Sequence, residues 1–496
     1  MKKRMNKAII LSLVLMLTAC NNWLDVSPKS DMKADDLFLT EAGFRDGLIG
    51  VYALMCREDS YARDLTYGYL DVLAQYYKSP HQLTSSGYEH NFKKAAEYNY
   101  KETAEEARIL AIWQNHFTAI ANINLALEYI DKKKDVFSSE DIYKIYKGEF
   151  LALRAFLHFD MLRLFASSAS MDNGNGLNSM AIPYVDVYTN VARPQLTVKE
   201  VLEKVKTDLL AAKGLMKGLE VFKGLMESSD PQYNRGQRMN YYAVTAELAR
   251  VFLYAGKNAE AYAEAKKIID EENKTGYFEA STNSSGFRNG NMKMYNDIIS
   301  YELANSSATS GNPMFSSELI FTLDVQKLKD LSEVYFTENS NSVSSILSMS
   351  SSGKANIFNS GGLESDFRSS WMTLGTDGDS YVLGKYKDMK YIPMFKLSEL
   401  YLIAAETATG SEAYGYLNKL RNHRGLANVA PTADLEDNIF QEYRREFIGE
   451  GQMFFYYKRK VMQVIGADNN IAIKNPNAIY NLPIPTNEVD FGNIKK

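Results

Sequence analysis

Cysteine is all but missing: the 496 residues include two, Cys20 and Cys56. If Cys20 is used otherwise, no internal disulfide is available and a hydrophobic core must hold the fold. Cys56, in Leu54-Met55-Cys56 beside an amphipathic stretch, reads as a small buried apolar residue. Histidine is scarce too. His81, His90, His116, His158 and His423 are scattered, and no two share the helical spacing of a metal pair. Signatures of catalysis are lacking: no His-Glu-x-x-His, no Walker A loop and no Gly-x-Ser-x-Gly elbow. Gly174-x-Gly176 is half of a dinucleotide fingerprint, but it follows a helical pattern, not a strand. Asp377-Gly378-Asp379 lacks the twelve-residue order of a calcium loop. Carboxylate pairs for glycoside hydrolysis stay open, because 61 acidic residues permit many pairings in space. No motif here points to catalysis, and neither cofactor nor metal is expected; an anchored hydrolase stays as an alternative that needs two carboxylates facing each other across a cleft.

Long apolar runs are lacking as well. After the first twenty residues no segment reaches the roughly 18 uninterrupted apolar residues that a spanning helix requires. Positive charge is in the minority. Without residues 1–19 the count is 52 basic against 61 acidic side chains, which disfavours nucleic acid as a partner.

What is present starts at the amino terminus. Lys2, Lys3, Arg4 and Lys7 precede the apolar run Ala8 to Leu17, and Leu17-Thr18-Ala19-Cys20 follows. The run is too short to remain as a membrane helix and reads as a signal peptide, residues 1–19. Small residues before a cysteine form a bacterial lipoprotein cleavage pattern. Lipid attachment at Cys20 is the expectation, since each buried methylene adds about 0.8 kcal/mol of membrane affinity and several acyl chains anchor a domain durably. Residues 20–496 then form the exported domain.

Helical periodicity dominates that domain. Residues 105–131 carry Ile109, Ile112, Trp113, Phe117, Ile120, Ile123 and Leu127 at three- and four-residue steps. Residues 140–166 repeat the pattern, with Ser138 or Ser139 as N-cap and a polar hairpin connection at Lys132–Asp135. Residues 197–216 form a helix capped by Thr197. Residues 240–272 read as a tetratricopeptide pair turning at Gly256, with Ala249 and Ala261 where the two helices meet. A weaker pair covers 394–424. Long insertions at 167–196 and 276–385 interrupt these pairs, and Glu318–Leu323 has the character of a short strand. The aromatic balance is skewed, 33 Tyr and 24 Phe against 3 Trp, and many of these rings pack helices together.

Four stretches resemble the SusD/RagB family of outer-membrane nutrient-uptake lipoproteins. The first runs from Cys20-Asn21-Asn22-Trp23-Leu24-Asp25 through Asp35-Asp36-Leu37-Phe38 to Gly50-Val51-Tyr52. The second is Gly148-Glu149-Phe150-Leu151-Ala152-Leu153-Arg154-Ala155-Phe156. The third is Lys385-Tyr386 with Ile392-Pro393-Met394-Phe395-Lys396-Leu397-Ser398-Glu399-Leu400-Tyr401. The fourth is Leu417-Asn418-x-Leu420-Arg421, Glu442-Tyr443-Arg444-Arg445-Glu446-Phe447 and Leu482-Pro483-Ile484-Pro485. The resemblance implies a mostly α fold, tetratricopeptide-like helix pairs scaffolding a loop-rich, irregular ligand-binding half. It implies a lid on a SusC-like TonB-dependent transporter that captures oligosaccharide, or peptide in some branches, without catalysis. A purely structural gating subunit is a further alternative. Arg154, Glu399, Arg421, Arg444, Arg445 and Glu446 read as buried ion pairs between helices.

The family has no invariant ligand motif, so site residues follow from chemistry and location. Sugar C–H faces stack on aromatic planes and hydroxyls need polar partners. In glycan-binding relatives the contacts come from the stretch after the first helix and from the loop-rich half. Those stretches offer Asp71, Gln75, Tyr76, Tyr77 and Tyr88, then Arg288, Tyr295, Arg368 and Trp371. The expected platform is Trp371, isolated in a polar, glycine-rich segment, helped by Tyr76 or Tyr77. Trp113 belongs to a helical stripe, and Trp23 packs near the anchor.

Overall fold

The computed structural model describes residues 34–78, 92–219, 235–270, 318–336, 347–358, 366–375, 380–387, 389–468 and 474–494, with Phe315, Gly378, Asn470 and Ile471. The signal peptide and Cys20 lie outside the described residues. Among the described residues no helix is long and apolar enough to cross a membrane.

The protein is mostly helical, and its helices form a row. Helix α1 (Glu41–Met55) starts where the Thr40 hydroxyl accepts the Gly43 amide, and it buries Phe44, Leu48, Val51 and Met55 along one face. A short helix α2 (Tyr69–Leu73) follows. Helices α3 (Thr103–Ile130) and α4 (Glu140–Phe165) are the long antiparallel pair expected from periodicity. Ser139 is the N-cap of α4, accepting the Ile142 amide at 3.2 Å. Helix α5 (Val198–Met216) begins with a capping box in which Thr197 and Glu200 satisfy each other's amides. Helices α6 (Tyr241–Tyr254) and α7 (Asn258–Ile269) follow the tetratricopeptide register, with Ala249 and Ala261 buried.

In space the order is α1 on α3, α3 on α4, α4 on α5, α5 on α6 and α6 on α7. Helix α4 has the most buried surface because it is flanked on both sides. It approaches α5 closely at Gly148, where a Cβ would stand 2.9 Å from the Met216 side chain and 3.3 Å from the Ala212 carbonyl. The row continues through α10 (Leu397–Thr407), which packs on α7, and α11 (Ser411–Asn422), although residues 271–396 intervene.

The intervening chain supplies helices α8 (Leu328–Phe336) and α9 (Ser351–Phe358) and most of the strands. Among the described residues all sheets are small and antiparallel. β1 (Met180–Pro183) pairs β2 (Gln195–Thr197). β3 (Leu319–Asp324), the strand expected near residue 318, pairs β7 (Tyr391–Lys396). β4 (Met349–Ser350), β6 (Ser380–Leu383) and β5 (Met372–Leu374) form a three-stranded sheet in that order. β8 (Val464–Ile465) pairs β9 (Asn470–Ile471). The helix expected from residue 394 starts instead at Leu397. Ile392 to Lys396 are buried on both faces, a strand pattern that helical spacing mimicked. Pro393 is tolerated because β7 has a single neighbour in its sheet, so its missing amide breaks no second ladder. Helices α12 (Leu435–Glu446) and α13 (Gln452–Lys460) close the loop-rich half, and α12 packs on α9 and α10.

Candidate functional site

Six of the ligand candidates are described, and all six are buried. Trp371 is 3% exposed. Its ring packs on Phe315, with centroids 5.4 Å apart, and the Lys385 ammonium sits 4.1 Å from its centre. Isolation along the chain is not isolation in space. Trp371 plugs the base of the β5–β6 sheet, so it offers no face for a sugar to stack on. Tyr76 and Tyr77 are buried in the turn after α2; their hydroxyls donate to the Arg444 carbonyl at 2.7 Å and the Tyr67 carbonyl at 2.9 Å. Asp71 has no exposed surface and accepts the Gly449 and Gly451 amides at 2.6 and 3.0 Å. Burial pushes its carboxyl well above the usual range, against the pull of those two amides. Gly451 adopts φ +70°, and a Cβ there would run into the Leu65 carbonyl, so no side chain fits. Gln75 is buried as well and donates to the Ala96 carbonyl. Tyr88, Arg288 and Tyr295 lie outside the described residues.

Arg368 is the centre of a buried ionic cluster. It donates to Asp366 and Glu442 at 2.8 Å and to Glu446 at 3.0 Å. Arg424 grips Glu318 at 2.8 and 2.9 Å and also bonds Glu446. Arg421 meets Glu442, and Lys396 meets Glu446 and Glu450. Lys385 bonds Glu450, and Arg445 stands 3.6 Å from Glu442. Six cations thus share five carboxylates. Burial alone would raise the Glu446 carboxyl, but Arg424, Lys396 and Arg368 hold it well below the usual range. Burial pulls the Lys385 ammonium down to about 8 despite Glu450. Every carboxylate here is spent on internal partners, so Arg368 positions the chain rather than a ligand.

The charged family residues follow the expected role with one difference. Arg154 forms a bidentate pair with Asp208 at 2.7 and 2.9 Å, and Glu399 does so with Arg250 at 2.7 and 2.6 Å. Arg444 instead donates to the Gly466 carbonyl and the Gln441 side chain, neutral partners.

An open cleft of about 780 Å³ lies elsewhere, at the seam between the helical row and the loop-rich half. One wall is the last two turns of α1, with Ile49, Tyr52 and Cys56. The floor is the turn Arg57 to Arg63, and the far wall is the β3–α8 connection from Asp324 to Leu331. The turn is stiffened by its own charges. Arg57 forks onto Asp59 with two bonds of 2.9 Å, and Arg63 forks onto Asp64 at 2.8 and 3.1 Å. Tyr52 is fixed because its hydroxyl donates to Glu149 at 2.6 Å and accepts the Met239 amide at 2.8 Å. The Cys56 thiol donates to the Asp324 carbonyl, and burial, aided by Asp324, pushes it up to about 12, so it is an inert wall.

This cleft presents acceptors (Glu58, Asp59, Asp324) and donors (Arg57, held by Asp59, and exposed Lys327) beside apolar Ile49 and Leu331. Such a set matches a polyhydroxylated ligand, since carboxylates accept and guanidiniums donate to neighbouring hydroxyls. The volume is that of an ordinary small-molecule site. Sequence reasoning passed over it because its walls come from residues 49–63 and 324–331. The one local signal was the run Arg57-Glu58-Asp59 directly after an amphipathic helix. Among the described residues, no three or more His, Cys, Asp or Glu side chains are grouped to hold a metal ion.

Comparison with known proteins bears on this geometry. One family model, described as starch-binding and associating with the outer membrane, matches residues 22–253; a second, described as the SusD family, matches residues 222–491. A SusD superfamily protein from Bacteroides thetaiotaomicron is 21% identical, covering 92% of this chain and 99% of its own, with a TM-score of 0.70. A SusD-like carbohydrate binding protein from Bacteroides vulgatus is 16% identical, covering 92% and 97%, with a TM-score of 0.67. A laminarin binding SusD-like protein is 17% identical, covering 92% and 98%, with a TM-score of 0.63. No curated protein sequence matches. The structural likenesses establish the shared fold; the second family model alone spans more than half of the sequence, and the chain belongs to the SusD family.

Proposed function

We propose that this protein is a lipid-anchored outer-membrane subunit that captures an oligosaccharide and delivers it to a partner TonB-dependent transporter. It binds and does not catalyse. The observation that carries the reading is length-for-length correspondence: the chain spans 98% of a laminarin-binding protein of the same fold. The cleft supports it, because its paired charges are held by the turn and need no rearrangement to meet hydroxyls. Cys20 supplies the anchor. Peptide capture is favoured by one feature, the mixed charge of that cleft beside a single half-buried ring, Tyr52.

The test is affinity electrophoresis and titration calorimetry of the exported Cys20→Ser protein against laminarin, starch, xylan and a set of mixed-charge peptides. Retardation by at least one glycan, weakened when Asp59 is replaced, sustains the proposal. Saturable binding of peptides with no glycan retained replaces it with peptide capture. No binding of either class replaces it with a structural gating role.

A further inference from the structure

A second cavity, of about 290 Å³, opens on the flank of the helical row and shares no lining residue with the cleft. It lies where the turn at Gly174–Asn178 meets the first turns of α5 and the last turn of α6. The floor is apolar. Leu202, Val251 and Phe252 are buried, and Leu177 and Ala255 are half-buried beside them. The rim is cationic, with Lys199 and Lys206 from α5 and Lys257 from the α6–α7 turn. Glu203 is the one carboxylate in the lining, and it pairs with Lys206 and, at 3.3 Å, with Lys257. That leaves a surplus of two positive charges around an apolar floor.

Backbone partial charges point the same way. The last carbonyls of α6 are consumed by the turn: Val251 accepts Ala255, Leu253 accepts Gly256 and Phe252 accepts Lys257. The negative end of that helix is therefore capped. One positive end remains: α7 starts after Lys257 with no side chain capping its first amides, whereas the first amides of α5, where Lys199 sits, are held by the Thr197–Glu200 capping box. An apolar floor with a net positive rim selects a molecule with one anionic head and an apolar body.

We propose that this cavity binds a small amphipathic anion, a carboxylate on an aliphatic body, with the head on Lys199, Lys206 and Lys257 and the body over Leu202 and Phe252. At a liquid-like share of about 30 Å³ per non-hydrogen atom, the space takes a ligand of roughly ten such atoms. The site acts separately from the cleft and does not depend on what the cleft binds.

Octanoate is the probe, titrated into the exported Cys20→Ser protein. The expected result is saturable one-to-one binding, with 1-octanol (the body without the charge) and inorganic phosphate (a charge without the body) each at least tenfold weaker. The triple variant Lys199→Ala, Lys206→Ala, Lys257→Ala should weaken octanoate at least tenfold with an unchanged melting curve, because these side chains are exposed or half-exposed. Ala255→Trp, which fills the cavity, should abolish binding. Equal affinity for octanol overturns the anionic selection, and equal affinity for phosphate overturns the apolar contribution. Octanoate binding that survives the triple lysine change, or no saturable binding, overturns the site.

Discussion

The helical row and the loop-rich half are held together by different balances of packing and charge. Along the row, helices meet mainly through small and apolar residues, Gly148 against Met216 and buried Ala249 on α6 and Ala261 on α7, with single ion pairs such as Arg154–Asp208 and Arg250–Glu399. In the other half, chain segments far apart in sequence, from Glu318 through Asp366 and Lys396 to Glu450, are joined by six buried cations and five carboxylates. Apolar packing is forgiving of relaxation, whereas a buried charge without its partner has nowhere to go. The contrast suits the division of labour. A repeated helix contact builds a scaffold from local sequence, and a directional ionic cluster pins irregular segments that have no repeating contact to register them.

The contrast breaks most visibly at Glu446. It bonds Arg424, Arg368 and Lys396 from a site with no exposed surface. Glu446→Ala should cost about 3–5 kcal/mol, the usual penalty for stranding buried charge. Urea unfolding of the variant gives the number, and a loss under 1 kcal/mol would show that the cluster tolerates rearrangement as an apolar core does. Trp371→Ala, beneath the same cluster, should lower stability by about 3–5 kcal/mol as a cavity mutant.

An intermediate effect is expected at the border of the two regions. Glu247 on α6 is buried, its carboxylate oxygens make no hydrogen bond in the structure, and Arg250 stands 3.7 Å away while forking onto Glu399. Burial pushes its carboxyl up to about 8, although Arg250 opposes the shift. A folded-state value above the unfolded one near 4.5 means the unfolded chain releases the proton first as pH rises. The stability contributed by this group is therefore present in full below pH 4.5 and lost as pH climbs through 8. Wild type should lose on the order of a few kcal/mol across that window, and Glu247→Gln should flatten the slope. Parallel slopes for the two proteins would place the carboxyl in contact with water.

The row itself is the milder case. Ala249→Leu should overpack the contact between α6 and α7 and cost about 1–3 kcal/mol. Leu210→Ala, at a 48% exposed position on α5, should leave the melting curve within experimental scatter. Equal effects at the two positions would mean that α6 and α7 do not meet in the tetratricopeptide register.

This division also explains what was legible in the sequence. Ser139 and Thr197 declared two helix starts because a cap and its amide are three residues apart. The α6–α7 pair was readable because its contacts recur at fixed spacing. Arg421 and Glu446 were readable as buried pairs only in kind, since charges on apolar helices must find partners somewhere. Trp371 stands in a polar, glycine-rich stretch that predicts an exposed ring, and Asp71, Tyr76, Tyr77 and Arg368 follow only from their location along the chain; burial by remote segments shows in neither signal. Each is covered by segments remote in sequence, Trp371 by Phe315 and Asp71 by the Gly449–Gly451 turn. The cleft stayed hidden because it exists only where α1 and β3 come together.

The smallest expected effect is on affinity, and it tests whether binding belongs to the seam between the two regions. Asp59 is 19% exposed in its side chain, forks with Arg57 and lines the cleft, so under the proposed function it is placed to meet a ligand. In Asp59→Asn one charge-assisted acceptor is replaced by an amide of the same shape. Hydrogen bonds to charged groups contribute about 1.5–3 kcal/mol, so affinity for the retained glycan should fall roughly tenfold to a hundredfold. Stability should change little, because the Arg57 end of the pair is 57% exposed and such pairs contribute about 0–1 kcal/mol. Paired calorimetric titration and melting of this variant separate the roles. Weaker binding with an intact melting curve puts capture in the cleft at the seam. Unchanged binding with an intact curve removes Asp59 from the ligand and moves the site off this surface.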